Sequence, residues 1–448
     1  MLISTKTILN LGGFTCMAII PQMSLFSWTD LDELGDLDRL RLVIEYLPDE
    51  KLMKTLESQR KNGRNDYPIR AVWNTILAGV VFEHKSTESL RRELKRNAQL
   101  RYMCGLEGSS VPPAYVYSRF MKKLFDHEET INLMFESLVA ELYETLPDFG
   151  RSLAIDSKAI PSFANGKNKN EEKDGRRDTD ADYGVKEYRG KREDGTMWKK
   201  ITKWFGYKLH LIIDSNYELP VAYSVTKASV PDINEAHHLL DDIQENQPYI
   251  LENAESMQAD KGYDDTKLYV RLWDSHKIKP VIDIRNMWKD GESTRLLGDW
   301  ENVTYNVKGN VYCHCPLTGK EREMANGGFE KDRNTLKKLC PAKQYGIHCE
   351  GAAECPVIQG IRIPLSEDRR IFTPIDRASY KWKREYNKRT AIERVNSRLD
   401  VSFGFENHTI RGLKKMKVKT GLALCIMLAM ALGRVKENQA EKMRSLVS

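Results

Sequence analysis

The order of hydrophobic periodicities between Ser152 and Ile284 constrains the fold of this chain more than any other feature. Ser152 to Ile155 is an apolar strand ending on Asp156, and Phe205–Asp214 and Leu219–Lys227 are strand-like runs around the turn Ser215-Asn216, the pattern of a hairpin. Pro231 to Glu245 carries Ile233, Ala236, Leu239, Leu240 and Ile243 at helical spacing, with Asp232 and Asn234 near its start. Met257 to Ala259 is a short strand ending on Asp260, Asp265 to Ile278 is helical again, and Lys279 to Ile284 is a further strand. Strand, strand, strand, helix, strand, helix, strand predicts an α/β fold, a mixed sheet flanked by helices. The stretch Asn165 to Lys200, rich in Lys, Arg, Asp, Glu, Gly and Asn, reads as an exposed loop.

Other patterns flank this core. From Asp30 to about Leu146 the chain is helical throughout, with apolar threes and fours in Ile69 to Phe82 and Tyr115 to Leu142, and a helix start at Ser86, Thr87 and Ser89. Residues 286–376 break the periodicity, and Ser379 to Leu399 returns to a long helical pattern. The predicted organisation is an N-terminal extension (1–29), an all-helical domain (30–148), a first part of the α/β core (149–285), a cysteine-containing insertion (286–376), a second part of the core (377–435) and a tail (436–448). At 448 residues the chain has room for such units, and 41% apolar with 30% charged residues is a globular balance. Met1 to Trp28 is a poor signal peptide, and the apolar run Gly421 to Leu432 is too short to cross a bilayer and reads as a buried helix. The expectation is a cytoplasmic protein with no membrane association.

The net charge of +6 is modest but unevenly spread. Arg91, Arg92, Lys95, Arg96 and Arg101 fall within about three turns, and Arg411, Lys414, Lys415, Lys417 and Lys419 precede the apolar run. Each cluster reads either as a phosphate-gripping patch or as a solvated helix face. Trp198, Trp204 and Trp288 are candidates to stack on an unpaired base, against the plainer reading of core residues. Five of the eight cysteines, Cys313, Cys315, Cys340, Cys349 and Cys355, crowd together with His314 and His348 beside them. These are soft ligands enough for one structural Zn²⁺, although the spacing is not a paired C-x-x-C; reduced thiols packed in a small subdomain are the alternative.

Chemistry is carried by acids. Asp156 and Asp260 at neighbouring strand ends and Glu393 on a later helix can converge, because strand ends lie side by side and a helix packs across them. Crowded carboxylates repel unless divalent cations neutralise them, and Mg²⁺ (or Mn²⁺) takes hard oxygen ligands while leaving positions for water and phosphate. Two such ions suit phosphodiester chemistry. In Tyr386-Asn387-Lys388-Arg389-Thr390-Ala391-Ile392-Glu393, the Tyr, Arg and Glu recur at threes and fours along one helix face, which sets Arg389 to hold a phosphate beside Glu393. Asp264 and Asp283 are rival carboxylates of lower rank.

These residues resemble the insertion-sequence DDE transposases, whose third motif is Y-x-x-R-x-x-x-E-x6-K. Asp156, Asp260, Tyr386, Arg389 and Glu393 match the pattern. Gly206-Tyr207-Lys208-Leu209-His210 and Asp180-Ala181 with Gly184 look like further landmarks, and the resemblance runs over most of Leu47 to Gly433, in the manner of the IS-four-like or IS-eleven-eighty-two-like branch. The family's lysine, seven residues after the glutamate, falls on Asp400 here, with Arg394 or Arg398 as substitutes. The resemblance implies an RNase-H-like core, two Mg²⁺ or Mn²⁺ ions at Asp156, Asp260 and Glu393, and cleavage at terminal inverted repeats by water and then a 3′ hydroxyl. It also implies strand transfer into double-stranded target DNA by a homodimer, in a bacterial, nucleoid-associated setting. The candidate DNA contacts are Tyr386, Arg389, Lys208, His210, Arg394, Arg398, Lys414 and Lys415. Two other readings stay open: an RNase-H-like nuclease without strand transfer, and an inactive DNA-binding relic.

Overall fold

The structure, a computed structural model, describes residues 34–60, 66–108, 110–166, 177–192, 194 and 196–445. The extension 1–29 and the last residues of the tail lie outside these. Seven helices come first: α1 (Leu37–Tyr46), α2 (Glu50–Ser58), α3 (Ile69–Val81), α4 (Thr87–Arg96), α5 (Ala98–Met103), α6 (Ala114–Leu124) and α7 (Glu128–Thr145). Ser86 caps α4 by accepting the Ser89 amide at 3.2 Å, as its sequence context predicts. The apolar pattern Tyr115 to Leu142 is divided at Asp126-His127 into α6 and α7, because periodicity does not register a turn that leaves both apolar faces on one core.

The central sheet contains β1 (Ser152–Pro161), β2 (Asp182–Lys191), β3 (Met197–Asp214) and β4 (Leu219–Lys227). After α8 (Asp232–Asn246) and α9 (Pro248–Asn253) it adds β5 (Ser256–Ala259), and after α10 (Thr266–Val270) and a π-helical turn it adds β6 (Lys279–Ile282). The order is β2-β3-β1-β5-β6, with β4 on the free side of the second half of β3. β1 runs antiparallel to β3 and parallel to β5, which is parallel to β6.

Two expectations are corrected here. β1 continues through Asp156 to Pro161, because β3 pairs with it along that whole length. Residues 182–191, read as loop, pair with residues 197–206 as a hairpin that prolongs β3 outward from the sheet. Its strands are polar on both faces over much of their length, so composition hid them. Gly206 sits where the hairpin crosses the end of β1; a Cβ there would lie 2.2 Å from the Ile160 carbonyl oxygen.

Residues 286–376 form two small antiparallel sheets. One has the order β10 (Glu321–Glu323), β9 (Val311–His314), β8 (Trp300–Asn306), β7 (Thr294–Leu297); the other runs β11 (Ala325–Glu330), β12 (Thr335–Leu339), β13 (Ile361–Pro364), with α11 (Pro341–Tyr345) after β12. They enclose their own small core around Val303, Val311, Leu336, Ile363 and Phe372, to which Trp273 from the sheet side contributes.

The chain then returns through α12 (Tyr380–Asn387), α13 (Thr390–Phe403) and α14 (Leu413–Lys436). The long helix predicted over Ser379 to Leu399 is broken at Lys388-Arg389, where the amides of both residues bond three residues back, to Glu385 and Tyr386. α14 is long and apolar enough to cross a membrane, but 89% of its apolar window is buried inside the protein against α1, α7 and β4. It runs parallel to α7, tied by Lys417–Glu128 at one end and Lys436–Glu141 at the other. Gly421 permits this approach: a Cβ would meet Tyr223 at 2.6 Å and Ile131 at 2.8 Å. One apolar core runs from Leu40 in α1 through the sheet to Leu432, so the N-terminal helices and the sheet are packed as one body.

Candidate active site

Beyond Ala154, the last β1 residue registered against β5, the edge of β1 opens. Asp156 lies just past that point and Asp260 immediately follows β5, so strand termination itself brings the two carboxylates together. Burial, and then the charge of Asp260, push the Asp156 carboxyl up to about 6. Asp260 accepts the Gly262 amide at 2.7 Å, and a Cβ on Gly262 would stand 2.7 Å from the same oxygen, so glycine keeps this carboxylate unobstructed. Tyr263 is fully buried with its hydroxyl among Asp156, Asp232 and Asp260.

Glu393 lies in the first turn of α13, 55% exposed, and accepts a hydrogen bond from Arg389 at 2.8 Å. Arg389 lies over the Tyr386 ring at 5.8 Å, and its charge acts on Asp156. Its Nε is buried without a hydrogen-bond partner among the described residues. Tyr386 stacks on Trp382 at 4.9 Å and 9°. Tyr386, Arg389 and Glu393 therefore share one side despite the break between α12 and α13. Among the described residues no three His, Cys, Asp or Glu side chains are placed to hold a metal ion as they stand; Glu393 is turned to Arg389.

The hairpin supplies a residue that sequence reading passed over. Lys186 on β2 donates to the Ser157 carbonyl at 3.2 Å, and its charge is felt at Asp156. The alternation of Tyr183 and Val185, both exposed, is too brief to mark a strand within a segment whose composition reads as loop. A second such residue is Lys158, two along β1 from Asp156 and therefore on the same face. It bonds Asp400 at 2.5 Å, so the acid standing in the family's lysine position is matched by a lysine from the strand.

Several expected DNA contacts are placed differently. Lys208 is 8% exposed and donates to the Val230 carbonyl and to Asp232 at 2.7 and 2.8 Å. His210 is buried against Thr226, and burial pushes its imidazole well below the usual range, leaving it neutral. Neither presents a charge to solvent, because both point into the space between β3 and α8. Arg394 and Arg398 converge on Glu218 at 2.8 and 3.1 Å, joined by Arg444 from the tail, so they close the β3–β4 turn rather than replace the missing lysine. Lys414 and Lys415 are exposed, the first paired with Asp126 and the second over Phe125. They lie in the first turn of α14, not ahead of it.

The basic cluster expected on one helix is split between two: Arg92, Lys95 and Arg96 on α4 are exposed, while Arg101 lies on α5 and is spent on the carbonyls of Leu94, Lys95 and Gly108. Trp204 is buried over Gly184, where a Cβ would stand 2.3 Å from its ring, and Trp288 meets Tyr305 edge-on. Trp198, on the hairpin, is 37% exposed. Asp264 is bound by Arg370, and Asp283 follows β6 beside Asp260, with its charge felt at Tyr386.

Compared with protein families, residues 148–429 match the model described as a transposase DDE domain, and residues 29–123 match a second transposase domain, DUF772. None of the curated proteins compared with the chain matches it. A solved structure that does match is a piggyBac transposase synaptic complex with hairpin DNA, at 10% identity over 94% of this chain and 87% of that one; its TM-score of 0.30 is too low to carry an argument. The DDE match spans more than half of the chain and includes Asp156, Asp260 and Glu393, so this protein belongs to the DDE transposase family of insertion sequences.

Proposed function

We propose that Asp156, Asp260 and Glu393 form the catalytic carboxylate set of an RNase-H-like core that cuts DNA at terminal inverted repeats and joins the freed 3′ ends to target DNA. The observation that carries this reading is the pairing of Asp156 with Asp260, two neighbouring carboxylates: burial first, and then the charge of Asp260, raise Asp156 to about 6. An acid held in that state gains from a cation, and an all-oxygen donor set suits Mg²⁺ or Mn²⁺. Two bound ions would supply charge stabilisation for attacking and leaving oxygens.

The chain's own residues then divide the work. Asp156 and Asp260 would hold the metal ions, and the buried ring of Tyr263 packs next to them. Arg389 and Glu393 exchange partners when substrate arrives: the guanidinium takes a phosphate oxygen and the carboxylate turns to the centre. An exposed i,i+4 ion pair is worth about 0.3–0.5 kcal/mol, so this exchange costs little. Lys186 and Lys158 line the approach from the β1 side and counter the phosphate charge.

The wider reading follows the domain plan: residues 30–148 bind DNA or dimerise, residues 149–285 and 377–435 form the core, and residues 286–376 are inserted into it. The partners are terminal-repeat and target duplexes, held by a homodimer in the bacterial cytoplasm at the nucleoid. Placement in the IS-four-like or IS-eleven-eighty-two-like branch rests on the Tyr386, Arg389 and Glu393 spacing.

Cleavage of a labelled duplex carrying the element's terminal repeat, with Mg²⁺ or Mn²⁺, compares wild type with Glu393→Gln. Metal-dependent nicking at the repeat boundary, lost in the variant and followed by joined products, is the expected result. Nicking without joined products would point to a nuclease, and binding without any nicking would overturn the assignment.

A further inference from the structure

Five cysteines from three separate segments line one cavity in the insertion: Cys313 from β9, Cys315 just beyond it, Cys340 at the end of β12, and Cys349 and Cys355 from the loop before β13. All five are free thiols. We propose that the insertion binds a single structural Zn²⁺ through four of these five thiolates. The ion is separate from the carboxylate centre and does no chemistry on DNA.

Two further observations point to a thiolate–metal site and not to thiols packed as small apolar groups. The first is the seat of the Cys315 sulfur, which lies against the Gly351 backbone of the loop that carries Cys349 and Cys355. The backbone at Gly351 approaches so closely that a Cβ there would stand 3.0 Å from this sulfur, so the loop is shaped around it.

The second observation is the loop itself. Between α11 and β13 the chain carries just one short 3-10 turn, and most of residues 344–350 are exposed. The insertion's small core does not extend over these residues. Unsupported stretches of that length are uncommon in folded domains, and a metal is a standard way to fasten a small, weakly cored unit. A tetrahedral ion here would tie β9, β12 and the loop to one point. His314 is turned away, its Nε2 bonded to Thr304 at 3.0 Å, and His348 does not line the cavity, which leaves an all-sulfur set. The thiols do not meet at one point as they stand; the closure we propose is rotation about χ1, each thiol having three staggered positions.

The test uses the full-length protein purified under reducing conditions without chelator. Bound zinc is measured by elemental analysis, and Co²⁺ substitution is read by its sulfur-to-metal charge-transfer absorption. One zinc per chain and a tetrahedral tetrathiolate Co²⁺ spectrum are expected. Single Cys→Ser changes at the five positions should abolish stoichiometric zinc in four cases and leave it in one, while Cys104→Ser and Cys425→Ser, buried in the main core, leave it unchanged. Zinc well below one per chain in the wild type, even after supplementation, would overturn the proposal. So would retention in all five variants, or a Co²⁺ spectrum lacking sulfur charge transfer. Far-UV circular dichroism separates loss of metal from loss of fold, and none of these outcomes depends on DNA cleavage.

Discussion

Asp260 and Asp264 lie four residues apart on the same turn after β5 and have opposite surroundings. Asp264 is fully buried, and Arg370 grips both of its oxygens at 3.0 and 2.5 Å while the Arg285 amide adds a third bond at 2.8 Å. Asp260 has the Gly262 amide and the repulsive company of Asp156. The first is a finished structural joint between sheet and insertion, reinforced by Arg377 donating to the Ile282 carbonyl at 2.5 Å and by the buried Lys338–Asp376 pair. The second is electrostatically incomplete. Residue type says little about role here; the degree to which neighbours compensate a charge says much more.

This contrast is broken most severely at the incomplete centre. Asp156→Asn should lower repeat cleavage on the order of 10³-fold or more, as removal of a charge-stabilising group does, while the thermal midpoint holds or rises because a repulsion disappears. A cleavage loss that merely tracks a lower midpoint would place Asp156 with the structural acids. At the finished joint the reverse holds. Arg370→Ala leaves Asp264 buried and unpaired and should destabilise the protein by about 3–5 kcal/mol, measured by denaturant unfolding. An unchanged unfolding midpoint would erase the distinction between the two acids.

Lys186→Met sharpens the comparison from the cation side. Loss of a charge-assisted contact of about 1.5–3 kcal/mol should weaken cleavage roughly 10- to 100-fold, with the stability of the sheet retained and the salt dependence of DNA binding reduced. Equal loss of stability and activity would make Lys186 a fastening for β2.

The smallest effect belongs to Lys419, a half-buried cation over the Phe405 ring, whose ammonium is pushed down to about 8 by desolvation. The folded value lies below the ordinary 10.5, so between pH 8 and 10.5 the unfolded chain holds more protons and stability rises with pH through that window. Below pH 8 both states are protonated and the cost is constant. Lys419→Met should remove that slope and add about 1–3 kcal/mol at pH 7; parallel pH profiles for the two proteins would refute the burial argument.

Much of this architecture could be read from local pattern. The strand before Asp260, the helix over Pro231 to Glu245, the Ser86 cap and the buried C-terminal helix all follow from periodicity and capping within a few residues. The hairpin 182–206 could not, since its strands carry polar side chains on both faces and its partner strand is longer than any apolar run suggests. Nor could the break at Lys388-Arg389, because a tightened turn leaves the threes and fours nearly in place.

The arginines and lysines were hardest to place. Arg394, Arg398, Lys208 and Lys158 are alike in composition, yet three are held by Glu218 or Asp232, and Lys158 answers Asp400 from 242 residues away. The sequence by itself determined the element types, the apolar faces and the spacing of Tyr386, Arg389 and Glu393, because these depend on neighbours along the chain. Tertiary structure alone decided which acids are satisfied, which cations face the site and which thiols share a cavity. Those outcomes depend on charges and sulfurs brought together from distant segments, where burial sets the strength of every interaction.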